Sequence, residues 1–153
     1  MKYTHSLQYF QVILCALIGS FIDLDHFLVA KTIYYREIQN NINRGIFHIT
    51  TIPIVISVFM LLYAQKFVSD CINIVAWIIL TAFLSHHIRD ATRRGFLMTP
   101  FGSTPRVPYF CYIFLLLILP FLISYGEYLT TRLISKTKTD RQINQPLLMD
   151  FEV

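Results

Sequence analysis

Four apolar stretches, separated by polar segments, dominate the chain. They cover residues 6–22, 46–64, 71–87 and 108–126. A helix that crosses a bilayer needs about 20 mostly apolar residues, with a range of about 17–25. The pattern therefore predicts an all-α, multi-pass membrane protein with about four transmembrane helices. From residue 134 to residue 153 the sequence is mostly polar with mixed charge, and we expect a disordered tail there.

The first apolar stretch has a second interpretation. Lys2 and the run "ALIGS" resemble the charged start and the small-residue cleavage site of a signal peptide. However, the apolar stretch continues past Ser20 to Ile22 without the polar region that precedes cleavage. We therefore expect a retained first span, with a cleaved signal peptide as the alternative.

Composition supports a membrane environment and argues against nucleic-acid binding and a disulfide framework. Of the 153 residues, 55% are hydrophobic and only 14% are charged, so the lipid bilayer is the expected partner. The formal charge of +4 is not arranged as a basic stripe with interleaved aromatic residues, so we expect no nucleic-acid binding. None of the three cysteines has CxxC spacing, and their odd count argues against a disulfide framework.

The ionisable residues fall at the ends of the apolar stretches. The first stretch ends at "DLDH", the second begins beside "RGIFH", and the third ends at "HHIRD". If four spans alternate in direction, these three segments lie at one face of the membrane. Six lysines and arginines lie on the side of the termini and seven on the opposite side, so the positive-inside rule leaves the orientation open.

Helical geometry groups the residues of the third segment. Asp90 follows His86 by four positions and His87 by three, so all three project from neighbouring parts of a helix surface. Imidazole nitrogens with carboxylate oxygens suit Zn²⁺, Mn²⁺ or Fe²⁺. Nearby arginines could hold a phosphate or a carboxylate through two parallel hydrogen bonds; the candidates are Arg44, Arg89 and Arg93.

Polar residues at the ends of spans also have a simpler interpretation. A histidine there is often only an interfacial residue, and an aspartate or arginine often marks the start of a loop. Nucleophilic catalysis has little support, because Ser20 and Ser85 lack a GxSxG motif. Three clusters with complementary metal-ligand types at one face nevertheless favour a functional site.

These segments resemble a known family. The runs "GSFIDLDHFLVAK", "RGIFH" and "LSHHIRDATRRGFLMTPFG" resemble the eukaryotic transmembrane protein 267 family. That family is similar in turn to bacterial inner-membrane proteins classed as metal-dependent hydrolases. The resemblance covers roughly residues 12 to 120 and implies a divalent metal with hydrolysis of a phosphate or acyl ester at the membrane face. The residues that it places at the metal, as ligands or beside them, are Asp23, Asp25, His26, His48, His86 and Asp90.

The chain departs from the bacterial pattern at two places. Ile49 stands where serine is usual, and the chain begins just before the first span, where relatives carry a further apolar segment with an Asp and a His. Two hypotheses therefore stay open. One is a metal-dependent membrane hydrolase, and the other is a non-catalytic membrane protein whose polar cluster is structural or binds a partner.

Overall fold

The computed structural model describes residues 2–24 and 45–149. Four α-helices account for most of them: α1 (Lys2–Ile22), α2 (Thr51–Phe67), α3 (Asp70–Arg94) and α4 (Tyr109–Met149). A short 3₁₀ helix (Ile46–His48) precedes α2. A hairpin of two-residue strands, β1 (Leu97–Met98) and β2 (Gly102–Ser103), lies between α3 and α4. The prediction of an all-α chain is thus correct for the helices and missed this small hairpin.

Two of the helices are long and apolar enough to cross a bilayer. They are Asp70–Arg94 and the segment Tyr109–Asn144 of α4. The other two apolar segments, Gln8–Ile22 and Thr51–Phe67, are shorter than 18 residues. The structure therefore supports a membrane protein with at least two candidate spans among the described residues.

The outer surface of the helices is apolar and the contacts between them use small residues. Phe59, Phe110 and Phe121 are exposed, whereas Ala64 and Ala76 are fully buried. A water-soluble domain has the opposite distribution, because apolar side chains gain free energy by leaving water. Small residues between helices instead let the backbones approach closely, as in membrane bundles. This distribution fits a lipid environment around the helices.

A two-residue turn joins α2 to α3. Val68 adopts a left-handed conformation at the end of α2. Ser69 then caps α3, where its side chain accepts a hydrogen bond from the Ile72 amide at 3.4 Å. Such a short connection makes α2 and α3 antiparallel neighbours, so that α2 starts beside the end of α3.

Helix α2 begins later than the apolar run predicted. Residues 46–48 form the 3₁₀ helix, and Ile49 forms a β-bridge with Leu97 before the α-helix starts at Thr51. The Thr50 amide donates a hydrogen bond to the Leu97 carbonyl at 2.9 Å. These contacts go with an extended backbone at Ile49, between the 3₁₀ helix and α2, which an apolar pattern alone does not reveal.

Helix α4 packs antiparallel to α3. The indole of Trp77 lies against Gly126, where a Cβ atom would come within 2.3 Å of the ring, and its N–H donates to Thr130 Oγ1 at 3.0 Å. The Asn73 side-chain amide donates to Thr131 Oγ1 at 3.3 Å. Hydrogen bonds between side chains of neighbouring helices fix their register in a setting where apolar burial alone cannot.

The prediction of a disordered tail is wrong for the described part of that segment. Helix α4 continues through it to Met149. The Lys138 ammonium forms an ion pair with Asp70 at the start of α3, and the Arg141 guanidinium donates to the Lys66 carbonyl at 2.9 Å. The polar residues of this segment therefore continue the helix alongside the turn between α2 and α3.

Candidate metal centre

The last two turns of α3 supply a polar cluster. His86 and His87 are buried, and Asp90 is partly exposed. Because Asp90 lies one helical turn beyond His86, its Oδ2 atom comes within 3.5 Å of His86 Nε2. The C-terminal turns of an otherwise apolar helix thus present an imidazole and a carboxylate side by side.

The 3₁₀ helix before α2 brings a second imidazole to the same place. His48 is buried, and its Nε2 atom lies 3.3 Å from Asp90 Oδ2. The His48 ring meets the His86 ring edge-on, with 5.4 Å between the ring centroids. Asp90 Oδ2 therefore faces ring nitrogens from two separate segments.

The residue that follows α1 completes the cluster. Asp23 Oδ1 lies 3.5 Å from His86 Nε2. One candidate ligand atom from each of Asp23, His48 and His86 lies within 4.8 Å of the others. Three segments far apart in sequence, the ends of α1 and α3 and the start of α2, thus converge on one point.

The separations within the cluster suit a small divalent cation. His86 Nε2 is buried and makes no hydrogen bond with the described residues, although two carboxylate oxygens lie 3.5 Å away. Ligand atoms placed about 2.0–2.1 Å from a tetrahedral ion are about 3.3–3.4 Å apart. The observed distances of 3.3 and 3.5 Å match that spacing better than they match a direct hydrogen bond. The residues present therefore fit a divalent metal ion.

Arg89 contacts both carboxylates from the outside. Its Nη2 atom lies 3.4 Å from Asp23 Oδ2 and its Nε atom lies 3.8 Å from Asp90 Oδ1. Each carboxylate thus turns one oxygen toward the imidazoles and the other toward the guanidinium. In this structure the Arg89 guanidinium contacts the two acids, and the prediction that it holds an anionic substrate stays a prediction.

His87 serves a different part of the cluster from His86. Its Nδ1 atom lies 3.0 Å from Thr50 Oγ1, and its ring centroid is about 6 Å from those of His48 and His86. Because adjacent helical residues are rotated by about 100°, His87 meets Thr50, whereas His86 faces the two carboxylates. The pair of Thr50 and His87 was missed in sequence, where nothing connects residues 37 positions apart.

The remaining predicted residues are placed as follows. Asp25, His26 and Arg44 lie outside the described residues. Arg93 is exposed on the last turn of α3, one turn beyond Arg89. The structure therefore brings together five of the nine predicted site residues: Asp23, His48, His86, Arg89 and Asp90.

The chain is similar to proteins named transmembrane protein 267. It is 38% identical to the protein from Mus musculus over 78% of this chain and 56% of the relative. For the protein from Danio rerio the values are 34%, 85% and 60%, and for that from Xenopus laevis they are 33%, 84% and 60%. The chain therefore spans between half and two thirds of the length of these relatives.

No protein-family model matches the chain, and no solved structure is similar to it. The names of the relatives, together with the two long apolar helices, indicate a membrane protein. The likeness to bacterial hydrolases that the motifs suggested stays a prediction.

Proposed function

We propose that the chain is a four-span membrane protein whose cluster of Asp23, His48, His86 and Asp90 binds a divalent metal ion. The ion would be Zn²⁺, Mn²⁺ or Fe²⁺, and the activity would be hydrolysis of a phosphate or acyl ester at the membrane face. The observation that carries the proposal is the convergence of two carboxylates and two buried imidazoles, at 3.3–3.5 Å, from three helix ends.

Helices α1 and α2 support the four-span arrangement through their surfaces. Tyr9, Phe10 and Val12 are exposed on α1, and Ile56 and Phe59 are exposed on α2. Contiguous apolar surfaces of this kind are rare on soluble proteins, and a lipid environment would cover them. The 17 residues of α2 lie at the lower end of the range that can cross a bilayer.

The residues of such a site would have different roles. His48 and His86, being buried, would present their nitrogens without competition from water, and Arg89 would fix the orientation of both carboxylates. An outer contact of this type tunes ligand geometry and is often as important as the ligands themselves. A bound ion would supply Lewis acidity toward water and toward the ester. Arg93 lies close enough along α3 to attract an anionic substrate toward the cluster.

Metal content tests the proposal directly. We expect the full chain, purified in mild detergent without added chelator, to hold close to one divalent ion per chain by inductively coupled plasma mass spectrometry. His86→Ala and Asp90→Asn should lose it, and Arg89→Gln should bind it about 10–100-fold more weakly. Asp70→Asn is the matched control, because it removes an exposed carboxylate at the opposite end of α3.

The same measurements would identify a failure. A parent protein without stoichiometric metal, even after incubation with each of the three ions, contradicts the metal proposal. Metal that is retained by folded His86→Ala and Asp90→Asn places the ion elsewhere. Hydrolysis is tested separately, with phosphate and acyl ester substrates on the metal-loaded parent and on the metal-free variants.

A second function has its own supporting observation. Arg89 bridges Asp23 and Asp90, so the cluster could hold the ends of α1 and α3 together without any ion. In that case the parent contains no metal, and His86→Ala unfolds more readily because buried polar groups lose their partners. Metal content and the unfolding midpoint together therefore separate the two functions.

A further inference from the structure

The connection between α3 and α4 occupies a distinctive position. Residues 95–108, which we call the α3–α4 hairpin, join the two helices that are long and apolar enough to cross a bilayer. A short connection between two such helices must lie at the membrane surface, because it starts and ends where they leave the hydrocarbon. Its surface therefore faces the lipid headgroups or the water just beyond them.

The tip of the hairpin carries exposed apolar side chains. Phe101 is 89% exposed and Met98 is 38% exposed. Strand pairing fixes the base of the tip, and the Thr104 amide donates to the Phe96 carbonyl at 2.9 Å. Phenylalanine is among the residues with which interfacial segments insert into the boundary between headgroups and acyl chains.

Basic residues lie at the base of the hairpin. Arg93, Arg94 and Arg106 are exposed, and residues 91–108 contain no aspartate or glutamate. The Val107 amide donates to the Ala91 carbonyl at 2.9 Å, which brings Arg106 next to the last turn of α3. Positive charges thus lie at the base of a hairpin whose tip carries an exposed aromatic ring, a combination that matches anionic headgroups above an apolar layer.

We propose that the α3–α4 hairpin anchors this face of the protein in the membrane interface, with Phe101 and Met98 in the outer acyl region and Arg93 and Arg106 bound to acidic phospholipid headgroups. The proposal rests on the membrane placement of α3 and α4 and does not require a metal ion.

The anchor is connected to the polar cluster. The Leu97 carbonyl accepts a hydrogen bond from the Thr50 amide, and Thr50 Oγ1 lies 3.0 Å from His87 Nδ1. Because His48 lies two residues before Thr50, this hydrogen bond and the bridge between Ile49 and Leu97 link the depth of His48 to that of the hairpin. An anchored hairpin would therefore hold the polar cluster at the level of the lipid headgroups.

Depth-dependent fluorescence quenching tests the placement. A nitrobenzoxadiazole probe is attached at Phe101→Cys in a full chain that carries Cys15→Ala, Cys71→Ala and Cys111→Ala, reconstituted in nanodiscs. We expect quenching by lipids with a spin label near the headgroup. Leu117→Cys, exposed in the middle of the apolar half of α4, should be quenched by lipids labelled deep in the chain, and Thr139→Cys by neither.

Each alternative result has a definite meaning. Quenching at residue 117 without quenching at residue 101 overturns the anchor and leaves the membrane placement intact. Lack of quenching at residue 117 overturns the placement of α4 in the membrane, and the anchor with it. Neither result depends on metal content, so failure of the anchor is distinguishable from failure of the metal proposal.

Acidic lipid with a spin-labelled headgroup tests the role of the arginines. With the probe at residue 101, we expect this lipid to quench more than spin-labelled phosphatidylcholine at the same mole fraction. Arg93→Gln with Arg106→Gln should lower the acidic-lipid affinity by about fivefold per arginine, about 25-fold in all. Arg132→Gln with Lys136→Gln, farther along α4, should leave it unchanged. Equal quenching by the two lipids, or a preference that survives the Arg93 and Arg106 changes, overturns the headgroup contact.

Discussion

Gly95 allows a sharp test of how the α3–α4 hairpin is built. It ends α3 with φ +74° and ψ 172°, and a Cβ atom there would lie 2.0 Å from the Thr104 carbonyl oxygen. That backbone conformation costs a residue with a side chain about 1–3 kcal/mol. To reach ordinary contact at 3.4 Å, the Thr104 carbonyl must also move by more than about 1 Å. Backbone shifts of this kind are the usual response to an added methyl group in a packed site.

The movement would break the hydrogen bonds between Phe96 and Thr104. The Thr104 amide donates to the Phe96 carbonyl at 2.9 Å, and the Phe96 amide donates to Thr104 Oγ1 at 2.8 Å. At about 0.5–1.5 kcal/mol each, their loss adds to the backbone strain. We therefore expect Gly95→Ala to lower the free energy of opening the hairpin by about 2–6 kcal/mol.

Hydrogen–deuterium exchange of the full chain in nanodiscs measures this locally. Amides of residues 96–107 should exchange at least about tenfold faster in Gly95→Ala, since exchange follows the free energy of local opening. Gly102→Ala is the matched control, because its φ of +92° is also strained but nothing lies within 4 Å of the added Cβ. Gly19→Ala, in a helix with open space around it, should leave the hairpin unchanged. Exchange in Gly95→Ala that is no faster than in Gly102→Ala would refute the reasoning about Thr104.

Two further predictions concern contacts between helices. Gly126→Ala should lower the free energy of unfolding, measured in a detergent titration, by about 1–3 kcal/mol, because the added Cβ meets the Trp77 ring at 2.3 Å. The double variant with Trp77→Leu should lose less stability than the sum of the two single losses, and strict additivity would contradict the contact. Thr50→Val should cost about 1–3 kcal/mol, because it leaves the buried Nδ1 atom of His87 without its partner at 3.0 Å, whereas Thr50→Ser should retain most of the stability. Equal stability of the valine and serine variants would show that the hydroxyl group is unimportant.

The meeting of the three polar segments could be predicted because it follows from direction alone. If apolar helices alternate, the end of α1, the start of α2 and the end of α3 share one face, and Asp23, His48 and His86 do meet there. The pairing of His86 with Asp90 follows from helical spacing. Neither inference needs knowledge of how the helices pack.

The details that depend on tertiary contacts could not be predicted. An apolar run does not show that Ile49 bridges to Leu97, and so the start of α2 was placed too early. The position of Arg89 between the two carboxylates depends on how close α1 comes to α3. Likewise, the polar part of α4 stays helical beside Asp70 and Lys66, which sequence composition cannot indicate.

The length of α2 bears on which membranes suit this protein. Its 17 residues rise about 26 Å, less than the hydrocarbon thickness of about 30 Å of a typical bilayer. If α2 crosses the membrane, neighbouring lipids must thin beside it, at a modest cost for each ångström of mismatch. Bilayers with a hydrocarbon thickness of about 27 Å require almost no such thinning, whereas thicker bilayers do. If it crosses the membrane, the short helix would thus match thin bilayers better than thick ones.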